Sequence, residues 1–155
     1  MRVIPIKPIR ECMKPRAWIR VAAALLALQA VLHTLGALSN NQTPGADKLI
    51  AEMRAFHFDA MGTDRTAFDF FRGLGLLFST NLVVLTVLTW QAGDLCSTDQ
   101  AGAKPLVVTL TAACTLMTVL CCIYFFIAPI VLFGLAAGCL ACGVLSMRGS
   151  SPATG

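Results

Sequence analysis

The sequence predicts an all-α protein: a four-transmembrane-helix bundle with a short amphipathic helix in its first extracytoplasmic loop. Three observations predict it. The chain has 155 residues, of which 57% are hydrophobic and 13% charged, and its mean hydropathy of +0.75 is too high for a soluble domain of this length. Its apolar residues gather into runs near the roughly 20 that a helix needs to cross hydrocarbon. Its basic residues cluster before the first run, which is a topology signal.

Residues 1–16 hold Pro5, Pro8 and Pro15 among basic side chains, a pattern that disfavours a helix and predicts a disordered cytoplasmic tail suited to an anionic membrane surface. The first span is expected at about 17–38. Trp18 marks a headgroup interface, and Gln29, His33 and Gly36 share one face near the far end. The polar stretch 39–65 is long for a connection between two helices and has room for structure of its own. Thr43-Pro44 reads as an N-cap followed by proline at the first helical position, after which Ala46, Leu49, Ile50, Met53 and Phe56 recur at helical spacing. That spacing predicts a helix lying on the membrane surface.

The second span is expected at about 66–90, entered by Arg65, Asp69 and Arg72. Their spacing of four and three stacks them on one helix face, and Ser79 and Thr86 continue it at heptad steps. Gly73 and Gly75 allow another backbone to come close. Residues 91–104 read as a polar loop. From Pro105 to Met147 the chain carries no charge and is long enough for two spans, which Pro129 should divide into about 105–127 and 129–147. Thr111, Thr115, Thr118 and Cys122 line one side of the third span. Gly134, Gly138 and Cys142 form a small-residue ridge on the fourth. Residues 148–155 are expected to be a disordered cytoplasmic tail.

Arg2, Lys7, Arg10, Lys14, Arg16 and Arg20 are half of the twelve basic residues and precede or open the first run, so both termini are expected in the cytoplasm. Trp18 and Trp90 then meet the same interface. The net charge of +4 is thus a topology signal, and nucleic acid is not an expected partner. Seven cysteines, mostly within apolar runs, argue against a disulfide framework.

This topology brings His33, Asp69, Arg72 and Tyr124 to one depth in the outer half of the membrane. Asp59 and Arg65 join them from the connecting stretch that would roof the cluster. One reading is structural: Asp69 and Arg72 neutralise each other while His33 and Tyr124 satisfy leftover hydrogen bonds. The other is a pocket for a ligand or a reaction, with His33 and Asp69 as candidate catalytic residues. An imidazole beside a carboxylate is a usable base, and an arginine is a usable anion clamp. Cys139 and Cys142 have thiol-oxidoreductase spacing but fall on the cytoplasmic half of the last span. Neither His33 nor His57 shows paired metal-ligand spacing, so neither metal nor cofactor is expected. Asn81, near mid-span, is expected to bond another helix.

The segments His33-Thr-Leu-Gly-Ala-Leu, Met53-Arg-Ala-Phe-His-Phe-Asp-Ala-Met-Gly, Arg65-Thr-Ala-Phe-Asp-Phe-Phe-Arg-Gly-Leu-Gly-Leu and Tyr124-Phe-Phe resemble a group of small uncharacterised four-helix bacterial integral membrane proteins. More distantly, the architecture is similar to DoxX-type proteins. The resemblance implies a bacterial inner membrane and transfers no functional residue. Three functions stay open: a protein binding membrane lipid or a lipophilic or anionic small molecule, a membrane enzyme acting on a lipid or quinone with a histidine base and arginine clamp, and a proton-coupled carrier working as a homo-oligomer.

Overall fold

The computed structural model describes residues 14–39 and 45–147. Its elements are α1 (Pro15–Leu38), α2 (Ala46–Ala55), β1 (His57–Ala60), β2 (Thr63–Thr66), α3 (Ala67–Thr98), α4 (Gln100–Tyr124) and α5 (Ile127–Met147). The helices α1, α3, α4 and α5 are each long and apolar enough to cross a membrane, as the hydropathy of the sequence requires. The chain is that of a multi-pass membrane protein. Two compact units make it up, one from the chain up to Leu25 together with Leu88 onward, the other from Leu26–Val87.

In the first unit, α4 and α5 pack together, and each carries a buried stripe. Ala103, Val107, Leu110, Cys114 and Cys121 are buried on α4, and Pro129, Phe133, Ala136, Leu140, Gly143 and Met147 on α5. Steps of three and four keep each buried stripe on one side of its helix. The turn between the two helices falls at Phe125 and Phe126, ahead of Pro129. Pro129 thus sits in the first turn of α5, where its missing N–H would have no helical partner. Thr111, Thr115 and Thr118 turn their hydroxyls back to carbonyls one turn earlier, which satisfies them without a second helix. The expected ridge on α5 meets a neighbour at one end only, where a Cβ at Gly134 would lie 3.6 Å from Thr118 Cγ2 on α4. Gly138 has no neighbour that a Cβ would meet, whereas a Cβ at Gly143 would lie 3.3 Å from Ile19 Cγ1 and 3.6 Å from the Pro15 carbonyl oxygen.

The polar loop expected at 91–104 is helical except at Asp99. Glycine, serine and threonine are weak helix formers, but Thr89, Ala92, Gly93 and Cys96 are buried along one side, so packing outweighs propensity. Asp94 on the continued helix meets Arg16 Nη2 at 3.1 Å and also accepts from Arg20. Asp99 then breaks the helix with an extended backbone and caps α4, its carboxylate accepting from the Gly102 N–H at 2.9 Å. Consequently α4 begins five residues before the expected Pro105, which lies within it.

In the second unit, α2 starts on Gly45 in the left-handed region, and none of its residues is buried. The expected cap at Thr43 and Pro44 lies outside the described residues. After α2 the chain forms an antiparallel hairpin pairing His57 with Thr66 and Ala60 with Thr63. Its two turn residues, Met61 and Gly62, both have positive φ, 55° and 86°, as a type I′ turn requires. Asp59 Oδ1 closes the turn by accepting from the Gly62 N–H at 2.7 Å.

Candidate functional site

Two faces of α3 divide the second unit. One packs on α1: His33 Nδ1 lies 2.9 Å from Ser79 Oγ, the His33 ring meets the Phe78 ring edge-on at 4.8 Å between centroids, and a Cβ at Gly75 would touch Ala37 Cβ at 3.5 Å. Moving one turn down α1 from Ala37 to His33 moves one turn along α3 from Gly75 to Ser79. The helices are therefore antiparallel, with Leu38, the last residue of α1, near the level of Leu74.

This register corrects the expected depth match. Ala67 opens α3 seven residues before Leu74, so at 1.5 Å per residue its first two turns extend about 10 Å past the end of α1. Asp69 and Arg72 stand on that extension, and His33 meets Ser79 beneath them. The polar stripe continuing through Ser79 does supply the partner for His33, two helical turns deeper than Arg72.

Asp69 has a local task. Thr66 Oγ1 donates to Asp69 Oδ2 at 2.7 Å, and the Asp69 N–H donates back to Thr66 Oγ1 at 3.0 Å. The Thr66 N–H also reaches Asp69 Oδ2, at 3.4 Å. These reciprocal contacts form a capping box at the start of α3. Among the described residues no ion pair joins Asp69 to Arg72; the pairs formed are Arg16 and Arg20 with Asp94, and His57 with Asp64 at 3.0 Å. The mutual neutralisation expected of Asp69 and Arg72 is absent.

The opposite face of α3 is open. Phe70, Gly73, Leu74 and Leu77 form the floor and lower wall of a groove of about 620 Å³, and Ala60, Thr63, Arg65 and Asp69 form its upper end. Hairpin and helix are held together by the Phe58–Phe70 edge contact, 6.0 Å between centroids, and by the Ala67 N–H donating to the Phe56 carbonyl at 3.0 Å. Roughly half a turn separates Gly73 and Leu77 from Gly75 and Ser79, so the groove looks away from α1. One end carries a cation, an anion and a hydroxyl; the other is hydrocarbon.

Of the expected site residues, Arg65 and Asp69 share this groove. His33 is on the α1 contact, and Asp59 is in the hairpin turn. Arg72 is exposed on α3, and Tyr124 is exposed at the end of α4, in the other unit. Thr63, Phe70, Leu74 and Leu77 line the groove without having been singled out in the sequence. Asn81, expected to bond another helix, donates to the Leu77 carbonyl of its own helix at 2.9 Å. The six described cysteines are free, and the described residues hold no cluster of three or more metal-ligating side chains. No protein-family model, curated protein or solved structure matches the chain.

Proposed function

We propose that the chain binds an amphiphilic small molecule, lipophilic along most of its length and anionic at one end, in the groove between the hairpin and the first turns of α3. The observation that carries this reading is the polarity gradient of that groove, from Arg65 and Thr63 at the hairpin to Phe70, Leu74 and Leu77 along the helix. An acyl or polyprenyl chain gains from the apolar wall, at about 25 cal/mol per Å² removed from water, although a chain already in lipid gains much less. Arg65 supplies a donor fork for a phosphate or carboxylate.

The proposed orientation has both termini in the cytoplasm and the hairpin outside, following the excess of basic residues at the start of the chain. Asp69 and Arg72 then lie at the headgroup level, where a charge costs much less than at mid-span. The short helix α2, with Leu49 exposed, rests against the same interface. Binding is favoured over catalysis because His33, the expected base, is bonded to Ser79 outside the groove.

Mass spectrometry of the protein purified in mild detergent tests the reading. The wild type should retain an anionic amphiphile. Gly73→Leu should lose it while remaining folded, because Gly73 has open space where its side chain would begin, and the added leucine would fill the groove. Arg65→Gln should weaken retention of the same species. Equal retention by wild type and both variants would remove the groove as the binding site.

A further inference from the structure

The first unit holds a polar cluster of its own, in the first turns of α1. Arg16 and Arg20 lie one turn apart on α1, and both donate to Asp94 Oδ1 on α3. The Arg20 guanidinium lies 3.5 Å from the centre of the Trp90 ring, and its side chain covers Gly93, where a Cβ would come within 3.4 Å of Nε. Arg20 is thus fixed on three sides: an aromatic face, a glycine backbone and a carboxylate. Among the described residues Arg16 is held by Asp94 alone, with half of its side chain exposed.

The charges do not cancel. Among the described residues one carboxylate faces two guanidiniums, and arginine stays protonated at any ordinary pH. The excess positive charge sits beside Trp90, a residue type that favours the headgroup layer. A guanidinium has five N–H donors in a rigid fork suited to phosphate oxygens, and the Asp94 contact occupies only part of that set on Arg16. The Arg20 side chain is 24% exposed against 50% for Arg16, which leaves Arg16 as the more accessible half of the pair.

From this geometry we propose that Arg16 and Arg20, held by Asp94 and Trp90, form a binding site for a phosphate-bearing anion, and that the anion is the headgroup of an anionic phospholipid in the adjoining leaflet. Asp94 is both anchor and competitor. It orients the two arginines and occupies donors that phosphate would use. Removing its charge should therefore strengthen lipid binding, while removing Arg16 should weaken it.

The experiment uses the full chain, delipidated in a neutral detergent and titrated with phosphatidylglycerol, phosphatidylcholine or inorganic phosphate, with bound species counted by native mass spectrometry. Quenching of tryptophan fluorescence by brominated versions of the two lipids gives a second readout from Trp18 and Trp90. The wild type should prefer phosphatidylglycerol. Arg16→Gln should lower its affinity about tenfold, the scale of one charge-assisted hydrogen bond, and Asp94→Asn should raise it. Arg16 is half exposed, so its replacement leaves the packed interior unchanged. Equal binding of both lipids, or no change in Arg16→Gln, would overturn the proposal. Competition by inorganic phosphate at low millimolar concentration, without preference between the lipids, would assign the site to a free anion and overturn the lipid source.

Discussion

The hydrogen bond between His33 and Ser79 should be the main polar coupling between α1 and α3 in the second unit. Ser79 is 6% exposed, and His33 Nδ1 is 2.9 Å from its hydroxyl. Ser79→Ala removes one partner and leaves a ring nitrogen facing apolar surroundings. Hydrogen bonds between membrane helices average about 0.6 kcal/mol and reach about 1.7 kcal/mol. Burial of Ser79 argues for the upper part of that range, so Ser79→Ala should cost about 1 to 1.5 kcal/mol. His33→Leu should cost a similar amount, with loss of the edge contact to Phe78 added. The double replacement should cost less than the sum, because neither side leaves a polar group behind. A double-mutant cycle isolates the pair, and its coupling should be about 1 kcal/mol. Equilibrium unfolding in mixed micelles provides the assay. His33→Leu combined with Asp69→Asn or Arg72→Leu should be additive, since those side chains stand on the part of α3 beyond the end of α1. Additivity for His33 with Ser79, or clear coupling of His33 with Asp69, would refute the register.

Two further perturbations probe other contacts. Gly75→Ala should stabilise by about 0.5 to 1 kcal/mol through helix propensity, because its new methyl would rest on Ala37 at an ordinary 3.5 Å; Gly143→Ala should instead destabilise by about 1 to 3 kcal/mol through overpacking against Ile19 at 3.3 Å. The same unfolding assay reads both, and equal shifts would contradict the packing. Orientation is tested at the hairpin tip. Met61 is fully exposed, so Met61→Cys should react with an impermeant thiol reagent added to spheroplasts, and protection until the membrane is opened would invert the proposed topology. Cys96 is a poor reporter for the opposite side, being 3% exposed.

The spans were legible because hydropathy over about 20 residues is a sum that local detail barely alters. Their ends were less so. Gly93, Ser97 and Thr98 read as loop on propensity alone, yet Asp94 draws Arg16 and Arg20 across and the buried face of Thr89, Ala92, Gly93 and Cys96 continues the helix. The hairpin escaped for a chemical reason. Its turn needs two left-handed residues, and the usual signal is asparagine or aspartate before glycine; here Met61 holds that first position. The capping box was present in Thr66-Ala-Phe-Asp69, but the charges on either side of Asp69 suggest an ion pair more readily than a bond to a neighbouring hydroxyl.

What the sequence could not show was helix register, and the site depends on it. Counting inward from the ends of two helices assumes that they start level. The close approach of Gly75 to Ala37 instead places the first two turns of α3 past the end of α1. That offset separates His33 from Asp69 and exposes Phe70, Gly73 and Leu74, against which the hairpin forms a groove. Small residues at 37 and 75 are compatible with this approach but do not specify it, since many such pairs exist along two apolar helices. The polar stripe was read along the right face and the wrong depth: it serves the α1 contact at Ser79 and the helix cap at Asp69, while the groove opens on the other side of the same helix.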